Sequence, residues 1–96
     1  METINNAILL EIGEIKVSKF WTNIYLKFRS EDGLERWYYY SEHIDKAPRL
    51  KQILDFLKPN ICKVGMTMTV NYKIVQSKNK STKLSIVNLA NYHKIN

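Results

Sequence analysis

The sequence predicts a mainly β fold, a five-stranded Greek-key barrel with one helix between its third and fourth strands, and three observations predict it. Apolar and polar residues alternate with period two along most of the chain. The period becomes helical only once, between Ser41 and Pro59. A chain of 96 residues can build one modest core but not two. Residues 1–96 therefore read as a single domain, and short alternating strands in so small a domain are best closed on themselves with the helix plugging one end.

The first strand is expected from Ala7 to Val17, with Ile8, Leu10 and Ile12, then Ile15 and Val17, turned inward. Its parity slips between Ile12 and Ile15, so a β-bulge is expected at Gly13-Glu14. The second strand is expected from Phe20 to Arg29. Phe20, Thr22, Ile24, Leu26 and Phe28 form its core face, and Trp21, Asn23, Tyr25, Lys27 and Arg29 its outer face. The third strand, Leu34 to Ser41, joins it through Asp32-Gly33, which reads as a two-residue type I′ hairpin turn. That turn pairs Glu31 with Leu34. Phe28 then faces Trp37 and Leu26 faces Tyr39 in the core, while Arg29 faces Arg36, Lys27 faces Tyr38 and Tyr25 faces Tyr40 outside.

Within the helix, Leu50, Ile53, Leu54 and Leu57 share one stripe, Asp45 suits the N-cap, Pro48 fits the first turn and Pro59 stops the element. The fourth strand, Lys63 to Gln76, turns Met66, Met68, Val70, Tyr72 and Ile74 inward against Thr67, Thr69, Asn71 and Lys73. A polar, lysine-bearing loop from Gln76 to Thr82 leads to the fifth strand, Lys83 to Tyr92.

Composition narrows the function. The chain carries 15 lysine and arginine residues against nine acids, a net charge of +6, and no acid follows Asp55. That asymmetry favours a polyanionic partner over a merely solvated surface. Cys62 is alone, which excludes an internal disulfide and fits a reducing, cytoplasmic compartment. No secretory leader is recognisable, and no apolar run approaches the roughly 20 residues that span a bilayer. His43 and His93 have no nucleophile placed beside them, and the three glycines are isolated rather than grouped in a phosphate loop. Glu11 and Glu14 read as solvated acids. No enzyme activity, metal or cofactor is expected.

The aromatic residues carry the remaining signal. Both tryptophans and four of the six tyrosines lie between Phe20 and Tyr40. Rings interleaved with cations on an exposed sheet suit a stacked, negatively charged polymer. In its order of elements, from Ala7 to Tyr92, the chain resembles the OB fold, and in its size the compact single-stranded-DNA-binding proteins of phages, plasmids and mobile elements. The likeness is one of architecture. It implies a ligand crossing the second and third strands, flanked by the loop between strands one and two and the loop between strands four and five. The nucleic-acid-binding residues it implies are Lys19, Trp21, Asn23, Tyr25, Lys27, Arg29, Arg36, Tyr38, Tyr40, Lys78, Lys80 and Lys83. Largely sequence-independent binding of single-stranded DNA, or of RNA, in replication, recombination or repair would follow. The common bacterial single-strand-binding proteins recruit partners through an acidic tail, whereas this sequence ends Asn91-Tyr92-His93-Lys94-Ile95-Asn96. Tail-mediated recruitment is therefore not expected.

Two other readings stand beside this one. Exposed tyrosine and tryptophan stabilise cross-strand pairs, so part of the face has a purely structural account. Tryptophan, tyrosine and arginine are also the usual anchors of protein interfaces, so the same face suits a protein-interaction module. Dimerisation through a strand edge and contacts with replication or recombination proteins are compatible with the sequence.

Overall fold

The computed structural model describes residues 1–43, 64–76, 78–79 and 81–91. Six strands are described, β1 (Glu2–Ile12), β2 (Lys16–Val17), β3 (Trp21–Arg29), β4 (Glu35–His43), β5 (Thr67–Gln76) and β6 (Thr82–Ala90). β1 pairs antiparallel with both β3 and β5, so the sheet closes in the order β1-β3-β4-β6-β5 and back to β1. The closing seam between β4 and β6 is parallel, through Tyr39 and Ser85, and β2 lies along the other side of β3. The chain is thus a mainly β, closed five-stranded barrel. The expected helix, Cys62 and His93 lie outside the described residues.

The barrel is filled by the inward-facing residues of five strands. Ala7 and Leu9, then Ile24, Leu26 and Phe28, Tyr38 and Tyr40, Met66, Met68, Val70 and Tyr72, and Ile86 form one buried cluster. A fully buried aliphatic or phenyl side chain of this kind contributes about 1.5–3 kcal/mol. The Tyr38 ring meets Phe28 at 5.7 Å and Tyr72 at 5.1 Å, both edge to face, the arrangement that the ring quadrupoles favour. Burial pushes the Tyr38 phenol above its ordinary pKa, and neighbouring Tyr72 acts in the same direction.

The β3–β4 register departs from expectation by one residue. Arg29 pairs with Glu35, Phe28 with Arg36, Lys27 with Trp37, Leu26 with Tyr38, Tyr25 with Tyr39 and Ile24 with Tyr40. The turn explains the shift. Gly33 donates its N–H to the Ser30 carbonyl at 2.9 Å, and Ser30 donates to the Leu34 carbonyl at 2.9 Å, so the loop has three residues rather than two. Gly33, at φ +86°, supplies the left-handed position that follows a type I turn in such loops. Asp32 accepts from the Leu34 N–H at 3.1 Å and from the Ser30 hydroxyl, which locks the loop and holds the Asp32 carboxyl below its ordinary pKa. Arg36, although on the inward side, lies at the rim of the barrel, where it is exposed. No cation is buried against Phe28, so the objection to this register disappears.

The first strand also turns its other parity inward. Ala7 and Leu9 are buried, whereas Ile8 and Leu10 are not, and Ile12, Ile15 and Val17 are substantially exposed. Register slips occur between Ile4 and Ala7 against β5 and between Leu9 and Glu11 against β3. Asn6 takes a positive φ of 54° at the first slip, a conformation that asparagine tolerates better than most residues. Strand structure stops at Gly13 and resumes at Lys16, but the glycine serves close approach rather than a bulge. Its N–H donates to the Tyr25 carbonyl at 2.8 Å, and a Cβ there would meet that oxygen at 2.8 Å. Phe20 precedes β3 and is exposed, and Ile74 lies beyond the filled part of the barrel, also exposed.

Candidate nucleic-acid interface

The corrected register changes which rings face outward. Tyr38 and Tyr40, expected on the platform, are 2% and 7% exposed and belong to the core. Trp37 and Tyr39, expected in the core, lie on the outer side with Trp21, Asn23 and Tyr25, and Trp37 is 42% exposed. Arg36 leaves the platform as well. It lines a cavity of about 380 Å³ at the barrel end with Thr3, Asp32, Tyr38 and Tyr72.

Alternation on β3 places Trp21, Asn23, Tyr25, Lys27 and Arg29 on the outer face as expected, and β4 adds Glu35, Trp37, Tyr39 and Ser41 opposite them. Tyr25 and Tyr39 pack with centroids 5.1 Å apart and planes tilted by 50°. The Lys27 ammonium stands 5.9 Å from the Trp37 ring centre, and the Lys83 ammonium, reaching from β6, stands 5.0 Å from that of Tyr39. The Trp37 ring leans over Gly13, where a Cβ would come within 3.4 Å of it. Glycine at that position lets the ring lie low across the strand boundary.

Instead of two opposed arginines, the hairpin end holds a charge-balanced group. Glu35 pairs with Arg29 at 3.3 Å and with Lys27 at 3.9 Å. Exposed pairs of this kind contribute between zero and about 1 kcal/mol, so a phosphate can compete for the cations at little cost.

At the other end of the hairpin, Ser18, Trp21, Asn23, Tyr39 and Ser41 line a recess of about 320 Å³. Asn23 Oδ1 accepts from the Tyr39 hydroxyl at 2.7 Å and from the Ser41 hydroxyl at 2.6 Å. Lys16 on β2 lies directly across from Asn23. Lys19 is exposed before β3, its ammonium 5.3 Å from the Phe20 ring centre. Lys78 is exposed between β5 and β6, and Lys80 lies outside the described residues.

Comparison with known proteins adds no name to this arrangement. No family model matches the chain, and neither the curated proteins nor the solved structures contain a match. Among the described residues there is no group of three or more histidine, cysteine, aspartate or glutamate side chains that could hold a metal. Among them, too, no helix is long and apolar enough to cross a membrane.

The outer face therefore gathers Trp21, Asn23, Tyr25, Lys27, Arg29 and Lys83 from the sequence expectation. It adds Trp37, Tyr39, Lys16, Ser18 and Ser41, which sequence reasoning missed. One signal for the true register was available. Glu35 is the residue able to neutralise both Lys27 and Arg29, and only the three-residue loop sets it directly opposite Arg29.

Proposed function

We propose that this chain is a non-enzymatic, OB-type barrel that binds single-stranded nucleic acid, DNA in preference to RNA, with little overall dependence on sequence. The observation that carries the reading is the outer β3–β4 face, where Trp21, Tyr25, Trp37 and Tyr39 lie among Lys27, Arg29 and Lys83. Bases stack on such rings for about 1–3 kcal/mol each, and the cations meet the phosphates. The strand order supports the OB reading. A first strand shared between the second and fourth long strands, with a parallel seam between the third and fifth, is the arrangement expected of that barrel. The preference for DNA, and a role in replication, recombination or repair, rest on the resemblance to compact phage, plasmid and mobile-element proteins.

The test is titration of labelled oligothymidine at low and moderate salt, following label anisotropy and intrinsic tryptophan emission together. Binding that weakens steeply with salt and quenches tryptophan supports the reading. Trp21→Ala and Trp37→Ala should each remove part of the quenching while the circular dichroism spectrum stays that of the parent. Absence of binding to DNA and RNA oligomers at low salt would overturn it. The same aromatic face would then be a protein interface, which depends only weakly on ionic strength.

A further inference from the structure

The recess beside Trp21 is more selective in its chemistry than a stacking surface needs to be. Its central group is the Asn23 amide, and the state of that amide is set by its neighbours. The Oδ1 atom has two lone pairs, and both are used, one by the Tyr39 hydroxyl at 2.7 Å and one by the Ser41 hydroxyl at 2.6 Å. The Asn23 side chain therefore offers a ligand N–H donors only. The two hydroxyls have given their hydrogens to Asn23, so each offers a ligand lone pairs only. Ser18 directs its own hydroxyl hydrogen to the Trp21 carbonyl at 3.2 Å and becomes an acceptor in the same way. Donor and acceptors stand side by side in one recess of about 320 Å³, with the Trp21 ring on its wall and Lys16 across the strand from Asn23.

A nucleobase edge complementary to that pattern has a carbonyl next to a ring N–H. Thymine, uracil, guanine and hypoxanthine have one. Adenine has neither group on its pairing edge, and cytosine presents an amino group beside an unprotonated nitrogen. We infer that the Ser18–Trp21–Asn23–Tyr39–Ser41 recess is a base-edge subsite selective for nucleobases that carry a carbonyl adjacent to a ring N–H. The Asn23 amide donates to the carbonyl, and a Tyr39 or Ser41 oxygen accepts from the ring N–H. Trp21 covers one side of the base, and Lys16 meets the adjoining phosphate. The inference rests on the nucleic-acid reading of this face and adds to it one position that discriminates between bases.

The experiment compares oligothymidine with oligocytidine of equal length at pH 7.5 and fixed salt. Both are flexible pyrimidine strands, so stacking and charge separate them little, whereas the edge pattern is reversed between them. Thymine should bind about tenfold more tightly, near the lower end of what one two-point edge contact gives. Asn23→Ala should bring the ratio towards one. Asn23→Asp keeps both accepted hydrogen bonds but replaces the donor nitrogen with an acceptor, so it should move the ratio towards cytosine. Taking the ratio within each variant cancels the uniform repulsion of the added charge, and the Asp variant serves if the Ala variant is poorly folded. Equal binding of both oligomers by the parent, or a parent preference for cytosine, would overturn the subsite while leaving nucleic-acid binding intact. Failure of either oligomer to bind would overturn the platform and the subsite together.

Discussion

The barrel has two outer walls built on the same backbone, and they are finished with different chemistry. Along β1, β5 and β6 the wall carries Thr3, Thr67, Thr69, Asn71 and Asn88, tied laterally by short amide and hydroxyl bonds. Thr3 donates to Asn71 at 2.7 Å, Asn71 donates to Asn88, and Asn91 donates to Thr69 at 3.3 Å. Along β3 and β4 the wall carries Trp21, Tyr25, Trp37 and Tyr39 with cations leaning on two of the rings. The polar wall shows that this sheet does not require aromatic side chains on its exterior. That weakens the purely structural account of the aromatic one, because small polar pairs serve the same strands a few residues away.

The largest expected effect tests which side of the hairpin is core. Tyr38→Ala should destabilise the fold by about 3–5 kcal/mol in chemical denaturation, the cost of emptying a large buried site. A loss below about 1 kcal/mol would return Tyr38 to the outer wall and undo the contrast.

Next comes the aromatic wall itself. Trp37→Ala should weaken oligothymidine binding by about 1–3 kcal/mol in the titration. On the polar wall, Asn71→Ala should leave binding unchanged while lowering stability by no more than about 1 kcal/mol. If the two variants weaken binding equally, the walls are not functionally distinct.

The two faces should also part with pH. Because the Tyr38 phenol is held above its ordinary pKa, the folded protein keeps that proton longer than the unfolded chain does. Its contribution is therefore complete below about pH 10, the ordinary tyrosine value, and is lost as pH rises through the higher folded value. Tyr38→Phe should flatten the alkaline arm of the stability curve, and an unchanged arm would exclude Tyr38 as its source. The smallest effect belongs to a single cation. Lys83→Gln should reduce the slope of log affinity against log salt by about 0.7, the contribution of one phosphate contact on a single strand.

What could be read from the sequence depended on contrast between adjacent residues. Strand β3 alternates a small or polar residue with an apolar one throughout, and both of its faces were predicted correctly from Thr22 to Arg29. Trp37-Tyr38-Tyr39-Tyr40 has no such contrast. Four aromatic residues in succession satisfy either parity, and the choice passed to the loop. Asp32-Gly33 fits a two-residue loop, but Ser30 and Asp32 close a three-residue loop by bonds that period alone does not reveal. Ala7-Ile8-Leu9-Leu10 failed in the same way, with the deciding slip placed at Asn6, outside the expected strand. The barrel itself was legible because its closure depends on the number and order of strands rather than on the parity of any one. The recess around Asn23 was not, since Ser18, Lys16 and Ser41 reach it from three different strands or turns.

The seam between β4 and β6 is held by one parallel bridge, Tyr39 to Ser85, whereas every neighbouring pair of long strands has several. Tyr39 thus belongs at once to the ligand-facing wall and to the weakest join of the barrel, and Lys83 reaches across that join to its ring. Breathing of the barrel should begin there, with the amides around Ser85 exchanging their hydrogens ahead of those in β3. A bound strand that rests on Tyr39 and pairs its phosphate with Lys83 would fasten the two sides together, so occupancy should register as slowed exchange along the seam as well as in the tryptophan signal.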